Sequence, residues 1–262
     1  MTPALPEFAP KSGDEARGAD VKTAVRTLRL FEVYAKTQRP LVLSELAELL
    51  DMPASSCLLL VRTLLQRGYL YETGRRAGYY PTRRLFDHAS AIVAHDPVVE
   101  RLRGALEALR DHTSETITLS KIQGDRLVYL LVADSPQIVR PAIQAGVLRP
   151  LHSTATGKAL LAQLDPVTRA RLLKTAGMPR LTAATRTSLR RVEADIEAGK
   201  ARGWYGNEGE SVADLNAVAL ALQLNHEAYA ITVMGPAYRL DRAAMSRHAR
   251  ALQATVARVS AA

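Results

Sequence analysis

Apolar and polar residues alternate with a helical period through most of the N-terminal third of the chain. Apolar side chains three and four positions apart predict a first helix between Val21 and the break at Arg39–Pro40, and a second helix with Ser44 as its N-cap. A third helix is predicted over 54–67. Residues 1–20 show little periodicity and are rich in Pro, Gly and Ala, so we expect a disordered tail there.

The third predicted helix is followed by two short runs with a period of two. The segments YLYET and AGYYPT flank the turn residues GRR, which predicts a β-hairpin with Arg75 and Arg76 near its tip. Three short helices followed by a basic hairpin are typical of a winged helix-turn-helix domain, here residues 21–82. Such a domain places its third helix in the major groove of DNA and its hairpin on phosphates or in the minor groove. A winged helix can also serve as a protein-interaction module.

Beyond the hairpin, the pattern predicts a linker and a second domain. A helical pattern interrupted at Pro97 predicts a linker helix over 83–97, followed by a domain over 98–262. The period changes to two in TITLSKI, RLVYLLVAD and QIVRPAI, which are predicted strands, and in a final hairpin that turns at Asn225–His226. Helices are expected over 156–164, 166–176, 188–202 and 238–259. The predicted fold class is α+β, with an N-terminal winged helix-turn-helix domain, a linker helix and a C-terminal GAF- or PAS-like α/β domain with a mainly antiparallel sheet.

The positive charge of the chain is densest in the predicted winged helix. The whole chain has a formal net charge of +9, and residues 21–85 carry eleven Lys and Arg against five Asp and Glu, a net charge of +6. The longer span 86–262 carries twenty-two against seventeen. This distribution favours a partner with a phosphate backbone, double-stranded DNA, although a solvated basic face would have the same composition.

The cysteine count and the hydropathy pattern suggest where the protein works. The one cysteine, Cys57, excludes an internal disulfide and is expected to be a small core residue, as free cysteines usually are. We find no apolar run of membrane-spanning length and no signal-peptide pattern. The sequence therefore predicts a cytoplasmic protein with no membrane partner.

The sequence gives little support for an enzyme. His152 with Ser153, or Asp134 with Ser135, would suggest nucleophilic catalysis, but neighbours in sequence rarely meet in a triad. The chain contains no G-x-S-x-G or H-E-x-x-H motif, and its six histidines lack the spacing of metal ligands. We expect no catalytic residue, no metal and no cofactor.

The stretch RPLHSTATGKALLAQL over 149–164 is the most distinctive motif of the chain. Its TGKA hints at a phosphate-binding loop, but His152 and Ala159 stand where a Walker motif requires Gly and a Ser or Thr. The remaining interpretation is a helix N-terminus, which can receive an anion or be an ordinary capped helix.

Taken with other motifs, this stretch resembles the IclR family of bacterial transcriptional regulators. GVLRPLHSTATGKALLA over 146–162 is similar to the family's Gly–Pro-Leu-His–Ala–Gly-Lys-Ala-Leu-Leu-Ala block. RGYL before the hairpin, GDRLVYL, ARGWYGNEGE and AITVMGP match in the same order, so the resemblance covers roughly residues 21–259.

The resemblance implies an effector pocket at the start of the helix in this block. In the family, the pocket is formed by that helix start, the segment around the Gly-Glu pair and the last two strands. The backbone N–H groups of the first two pocket residues would receive a ligand carboxylate. Carried over position by position, the implied pocket residues are Ala155, Thr156, Asn207, Ala217, Thr232 and Met234.

Several of these positions depart from the family pattern. Asn207 stands where an acid is common, Ala217 where Cys is frequent, and Met234 where a small hydroxyl residue often lies. The segment DLNAVALAL over 214–222 also lacks the usual Gly and Pro. These changes predict a more apolar pocket, and hence either a larger or more aromatic effector than a simple keto acid, or a pocket that no longer senses. The alternative is that these are core residues of a sensor-like fold.

The recognition helix departs from the family as well, with Ala54 and Leu59 where Lys and Arg are usual. Leu58 or Leu59 could touch a thymine methyl group, although the core is expected to bury at least one of them. The predicted DNA-binding residues are Ser44, Ser55, Ser56, Arg62, Arg75 and Arg76.

The sequence as a whole predicts a DNA-binding transcriptional regulator whose C-terminal domain binds a small organic acid that modulates operator binding. The resemblance implies a homodimer on a pseudo-palindromic operator, with pairing of dimers into tetramers frequent in the family. The alternative is a regulator whose C-terminal domain only dimerises and senses no ligand.

Overall fold

A computed structural model describes residues 21–74 and 77–261 of the chain. The chain divides into two compact units between Asp96 and Pro97, and each unit has its own core. No helix among the described residues combines the length and the apolar character that crossing a membrane requires.

The first unit consists of four helices and a two-stranded antiparallel sheet in its described part. Its elements are α1 (Lys22–Thr37), α2 (Leu43–Leu49), α3 (Ala54–Gln66), β1 (Leu70–Gly74), β2 (Gly78–Pro81) and α4 (Arg84–Ala94).

The apolar stripes of α1, α2 and α3 meet in one core. Leu30 of α1, Leu46 of α2 and Val61 of α3 are completely buried there. Cys57 is buried in the same core, which confirms its predicted place. The Tyr34 hydroxyl donates a hydrogen bond of 2.9 Å to a β2 carbonyl and so ties α1 to the hairpin. The order of helices and hairpin confirms the predicted winged helix-turn-helix.

The prediction that Ser44 is the N-cap of the second helix is wrong. The N-cap of α2 is Val42, and Ser44 lies exposed in the first helical turn. Glu45 explains the shift, because its carboxylate accepts a hydrogen bond of 3.0 Å from the Val42 N–H. A side chain at the third helical position thus accepts from the N-cap N–H, and the helix begins one residue before Ser44.

The second unit is a six-stranded sheet with helices on both faces. The sheet has the order β5-β4-β3-β8-β7-β6, and all neighbouring strands are antiparallel. This arrangement confirms the α+β class. Its strands are β3 (Thr116–Gln123), β4 (Arg126–Ala133), β5 (Leu148–Pro150), β6 (Tyr205–Glu208), β7 (Leu215–Leu224) and β8 (Glu227–Pro236). Its helices are α5 (Pro97–Thr113), α6 (Ala155–Leu161), α7 (Pro166–Ala176), α8 (Leu189–Arg202) and α9 (Arg242–Ala261).

Alternation along the strands divides the core of this unit into two layers. On β8, Ile231 and Val233 face α5 and α9, whereas Ala230 and Met234 face α6, α7 and α8. Small residues let α6 approach the sheet closely, and a Cβ at Gly157 would overlap the backbone of Leu151. The start of α6 is therefore fixed tightly in the fold.

Two strand predictions need correction, and one turn is confirmed. QIVRPAI over 137–143 contains no strand. The two edge strands of the sheet, β5 and β6, were not predicted. Pro136 and Pro141 have no N–H to donate to a ladder, and Ile138 is 95% exposed. The final hairpin turns at Asn225–His226 as predicted, with φ values of 51° and 65°.

Candidate DNA-binding face and effector site

Helix α3 presents a polar, solvent-facing surface opposite its core stripe. Ser55, Leu59 and Arg62 are exposed at spacings of four and three residues, and Ser56 is half-buried beside them. Leu59 is 66% exposed in the middle of this surface, whereas Leu58 is half-buried. The structure therefore places the three predicted α3 residues, Ser55, Ser56 and Arg62, on or next to one accessible face.

The first turns of α2 and α3 lie beside the turn end of the hairpin. Ser44 and Ala54 line a shallow cleft of about 530 Å³ together with Glu72 and Tyr79. Gly78 fixes the hairpin against this region, because its φ of 102° and the backbone of Leu41 leave no space for a Cβ. The two remaining predicted DNA-binding residues, Arg75 and Arg76, lie outside the described residues.

In the second unit, the implied pocket residues come together in the layer between the sheet and α6. Asn207, Ala217 and Met234 are register partners across β6, β7 and β8. Thr232 lies two positions from Met234 on the same strand, and its hydroxyl is 2.8 Å from that of Thr156 at the start of α6. The exposed fractions of the six residues, which include Ala155, lie between 0 and 5%.

Polar atoms of these pocket residues and of their neighbours already form hydrogen bonds within the protein. The Asn207 carbonyl accepts a bond of 2.8 Å from the Glu210 N–H, and its amide donates to the Ser211 hydroxyl at 3.1 Å. Thr154 is the N-cap of α6, and its hydroxyl accepts a bond of 2.9 Å from the Gly157 N–H. These bonds hold the helix start and the turn after β6 in one arrangement.

An open cleft of about 810 Å³ lies alongside this buried group. None of the six implied pocket residues lines it, although Thr154 and Ser211 are close neighbours of theirs in sequence. The walls come from β4, β5, the segments 139–143 and 211–215, and the end of β8. Its charged residues are Arg140, Arg149 and Asp214. Sequence reasoning missed this cleft, although Arg149 opens the motif that it singled out.

The Lys of the TGKA segment is buried in a network of charges. Lys158 is 1% exposed, and its ammonium donates to Asp195 at 2.8 Å, to Glu210 at 2.6 Å and to the Gly206 carbonyl at 3.2 Å. Burial raises the pKa of the Glu210 carboxyl, and the Lys158 charge opposes that rise. The network joins α6 to α8, to β6 and to the turn that follows β6. Lys158 therefore holds the helix start in place and does not face the cleft.

Two family models match the chain over its two units. A model of the IclR helix-turn-helix domain matches residues 23–74, and a model of the bacterial transcriptional regulator IclR C-terminal domain matches residues 90–261. The HTH-type transcriptional regulator BhcR of Paracoccus denitrificans is 29% identical over 228 residues, which cover 86% of this chain and 81% of that protein.

Two solved structures share the fold. The crystal structure of Thermotoga maritima IclR has a TM-score of 0.70 at 20% identity, covering 92% of this chain and 98% of that chain. An IclR homologue from Microbacterium hydrocarbonoxydans, complexed with 4-hydroxybenzoate, has a TM-score of 0.72 at 17% identity, covering 91% and 98%.

The family models carry the conclusion, because one of them alone spans well over half of the chain. They describe transcriptional regulators, which confirms the prediction that this protein is not an enzyme. The chain belongs to the IclR family of bacterial transcriptional regulators.

Proposed function

We propose that this regulator binds a pseudo-palindromic operator as a homodimer and that a small organic acid modulates the binding. The observation that carries the proposal is the pairing of an exposed polar face on α3 with a separate unit that contains an open cleft. Operator DNA in a bacterial cell lies in the cytoplasm, and we place the protein there, with no membrane partner.

On the DNA, α3 enters the major groove. Arg62 suits a guanine edge or a phosphate, and the hydroxyls of Ser55 and Ser56 suit phosphates or base edges. Ser44, exposed at the start of α2, and the hairpin residues Arg75 and Arg76 add contacts to the DNA backbone.

Exposed apolar residues on the first unit support a homodimer. Val25 and Leu28 are exposed on α1, and Phe86, Ile92 and Val93 of α4 are each at least 60% exposed. Large exposed apolar patches on soluble proteins usually mark interaction surfaces. A second copy of this chain would cover them and would give the symmetry that a two-fold operator requires.

The effector is proposed to bind at the cleft beside α6, next to the six implied pocket residues. The Microbacterium structure shows that a protein with this fold takes an aromatic carboxylate. The ligand regulates only if it binds two arrangements of the protein with different affinity, and the linker helix α4 is the proposed connection to the DNA-binding domain.

One observation favours the second candidate function, a regulator whose C-terminal domain only dimerises. The six implied pocket residues are buried, and Met234 occupies space where the family usually has a small residue. A filled pocket would leave the sensor domain with an assembly role alone.

A thermal-shift screen of small organic acids and aromatic carboxylates distinguishes the two functions. A true effector raises the unfolding temperature, and the rise continues with the logarithm of its concentration above Kd, because it binds the folded state. The same compound must also change the affinity for operator DNA. If no compound does either while the protein remains dimeric, the dimerisation-only function is correct.

A further inference from the structure

Arg149 is one of the two exposed cations that line the 810 Å³ cleft. It lies on the edge strand β5, opposite Leu127 of β4, and its side chain is exposed. The neighbouring Tyr129 is buried and forms the adjacent wall. Burial raises the pKa of the Tyr129 phenol, and the positive charge of Arg149 together with its hydrogen bond to this phenol opposes the rise.

The two arginines of the cleft differ in the ion pairs that they form within the protein. Arg140 is 4.0 Å from the Asp134 carboxylate and donates a bond of 3.4 Å to the Gln137 carbonyl. Among the described residues, no carboxylate forms an ion pair with Arg149. The Arg149 guanidinium hydrogen-bonds the Tyr129 phenol, but no carboxylate neutralises its charge, so it can still receive an anion. Asp214 stands among the lining residues as a negative charge.

Most of the remaining lining residues are apolar, and one wall segment is tied to the core. The segment 139–143 is fixed by Arg239, which donates a bond of 2.9 Å to the Val139 carbonyl and pairs with both oxygens of the buried Glu115 at 2.8 and 3.0 Å. A wall fixed in this way needs little ordering when a ligand binds. The apolar side chains that line the cleft include Val139, Ile143, Leu181, Leu215 and Pro236.

We propose that this cleft binds an aromatic monocarboxylate whose carboxylate is held by the Arg149 guanidinium. A planar, two-pronged guanidinium matches a carboxylate, and the apolar walls accept a ring. Asp214 repels a second carboxylate and accepts a hydrogen bond from a hydroxyl or amino group on the ring. This inference rests on the proposed effector function and assigns its ligand class and its recognition residue.

The test is a calorimetric titration of the full chain with two matched probes. 4-Hydroxybenzoate carries the carboxylate, and 4-hydroxybenzamide has nearly the same shape without the charge. Each probe is titrated into the unaltered protein and into Arg149→Gln, Arg140→Gln and Arg191→Gln. Arg191 is exposed on α8 and does not line the cleft, so it controls for the loss of one positive charge. Circular dichroism checks that each variant is folded.

We expect the unaltered protein to bind the acid and not the amide, and Arg149→Gln to weaken binding of the acid at least about tenfold. Arg140→Gln and Arg191→Gln should change the affinity much less. Equal binding of the acid by the unaltered protein and Arg149→Gln would overturn the role of Arg149 and leave the effector function intact. Equal binding of acid and amide would show that the protein does not recognise the carboxylate.

If the unaltered protein binds neither probe, an aromatic monocarboxylate is the wrong ligand class. The wider thermal-shift screen then decides the effector function separately, because stabilisation by another class of acid would keep that function while this inference fails.

Discussion

The two regions that sequence reasoning selected, the third helix and the start of the sixth, differ in how the fold treats them. On α3, the helical period predicts which side chains face solvent, and Ser55 and Arg62 are exposed. At α6, the six residues implied by the family are buried, with exposed fractions of at most 5%. Local periodicity is enough to predict which residues of a convex surface are exposed. Whether a concave site is open depends on which side chains fill it, and these come from several elements.

The difference has a second physical cause, the charge network under α6. Lys158, Asp195 and Glu210 anchor the helix start from below, while α3 only needs its apolar stripe to reach the core. We therefore expect changes at α6 to act mainly on stability, and changes on the α3 face to act mainly on DNA binding.

The largest expected effect is that of Lys158→Met on stability. The substitution keeps the apolar stem but leaves the buried Glu210 without its cation, while Asp195 keeps Arg186 at 3.2 Å. The free energy of unfolding should therefore fall by about 3–5 kcal/mol. Urea unfolding measures it. The control is Lys200→Met, since Lys200 pairs with Glu197 at 2.8 Å on the surface of α8 and should matter by less than about 0.5 kcal/mol. Equal losses in the two variants would mean that the network does not anchor α6.

Arg62→Ala should have the next largest effect, and on DNA affinity. Loss of one base or phosphate contact weakens operator binding by about 1–3 kcal/mol, while the free energy of unfolding changes little because Arg62 is exposed. Anisotropy titration with operator DNA measures the affinity, and Arg191→Ala on α8 controls for charge. A similar loss in both variants would indicate non-specific attraction in place of a contact by α3.

Leu59 offers a smaller but more specific test of the α3 face. An exposed Leu in the major groove fits a thymine methyl group, and losing that contact should weaken binding by about 1 kcal/mol. Replacing operator thymines one at a time with deoxyuridine removes only the methyl group. The unaltered protein should lose affinity at one position or more, and Leu59→Ala should be insensitive there. If the same deoxyuridine substitutions weaken both proteins equally, Leu59 does not read the methyl group.

The smallest expected effect is a pH dependence that arises beside α6. Burial lowers the pKa of His152, whose ring nitrogen is 3.1 Å from the Pro179 carbonyl, with the cations Arg126 and Lys158 nearby. Its contribution to stability is therefore complete above the unfolded pKa of about 6.5 and decreases as the pH falls below that value. His248 has a lowered pKa too, for the same main reason, and adds to the same trend.

The measurement is the free energy of unfolding between pH 7.5 and about pH 5. His152→Gln should flatten part of the decline, and His88→Gln, at an exposed position of α4, controls for the substitution itself. A decline of unchanged steepness in His152→Gln would show that His152 does not titrate in this range.

Most of the fold could be predicted from the sequence, because long periodic segments determine it. The helices of the winged unit, the β7–β8 hairpin and the α+β class follow from spacing and turn residues. The N-cap of α2 was missed because the Glu45 carboxylate accepts a hydrogen bond from the Val42 N–H, so the helix begins before Ser44. The segment 137–143 alternates like a strand but pairs with no neighbouring strand. The Arg239 side chain, and not a backbone partner, donates to the Val139 carbonyl.

The candidate effector site was harder to predict. The family motif indicates a region of the second unit beside the cleft. It leaves two alternatives open, pocket or core, and Met234 and its neighbours are buried. The roles of Lys158 and Arg149 depend on residues far away in sequence, such as Glu210 and Tyr129. No local pattern shows such pairs.

The most direct test of the central account, sequence-specific operator binding, is a fluorescence-anisotropy titration with DNA from the region upstream of the gene. The titration is run at two salt concentrations beside a scrambled duplex of the same composition. We expect tight binding that prefers the native duplex and survives moderate salt. Equal binding of both duplexes that disappears as salt rises would mean phosphate contacts alone, and would contradict the account for that DNA.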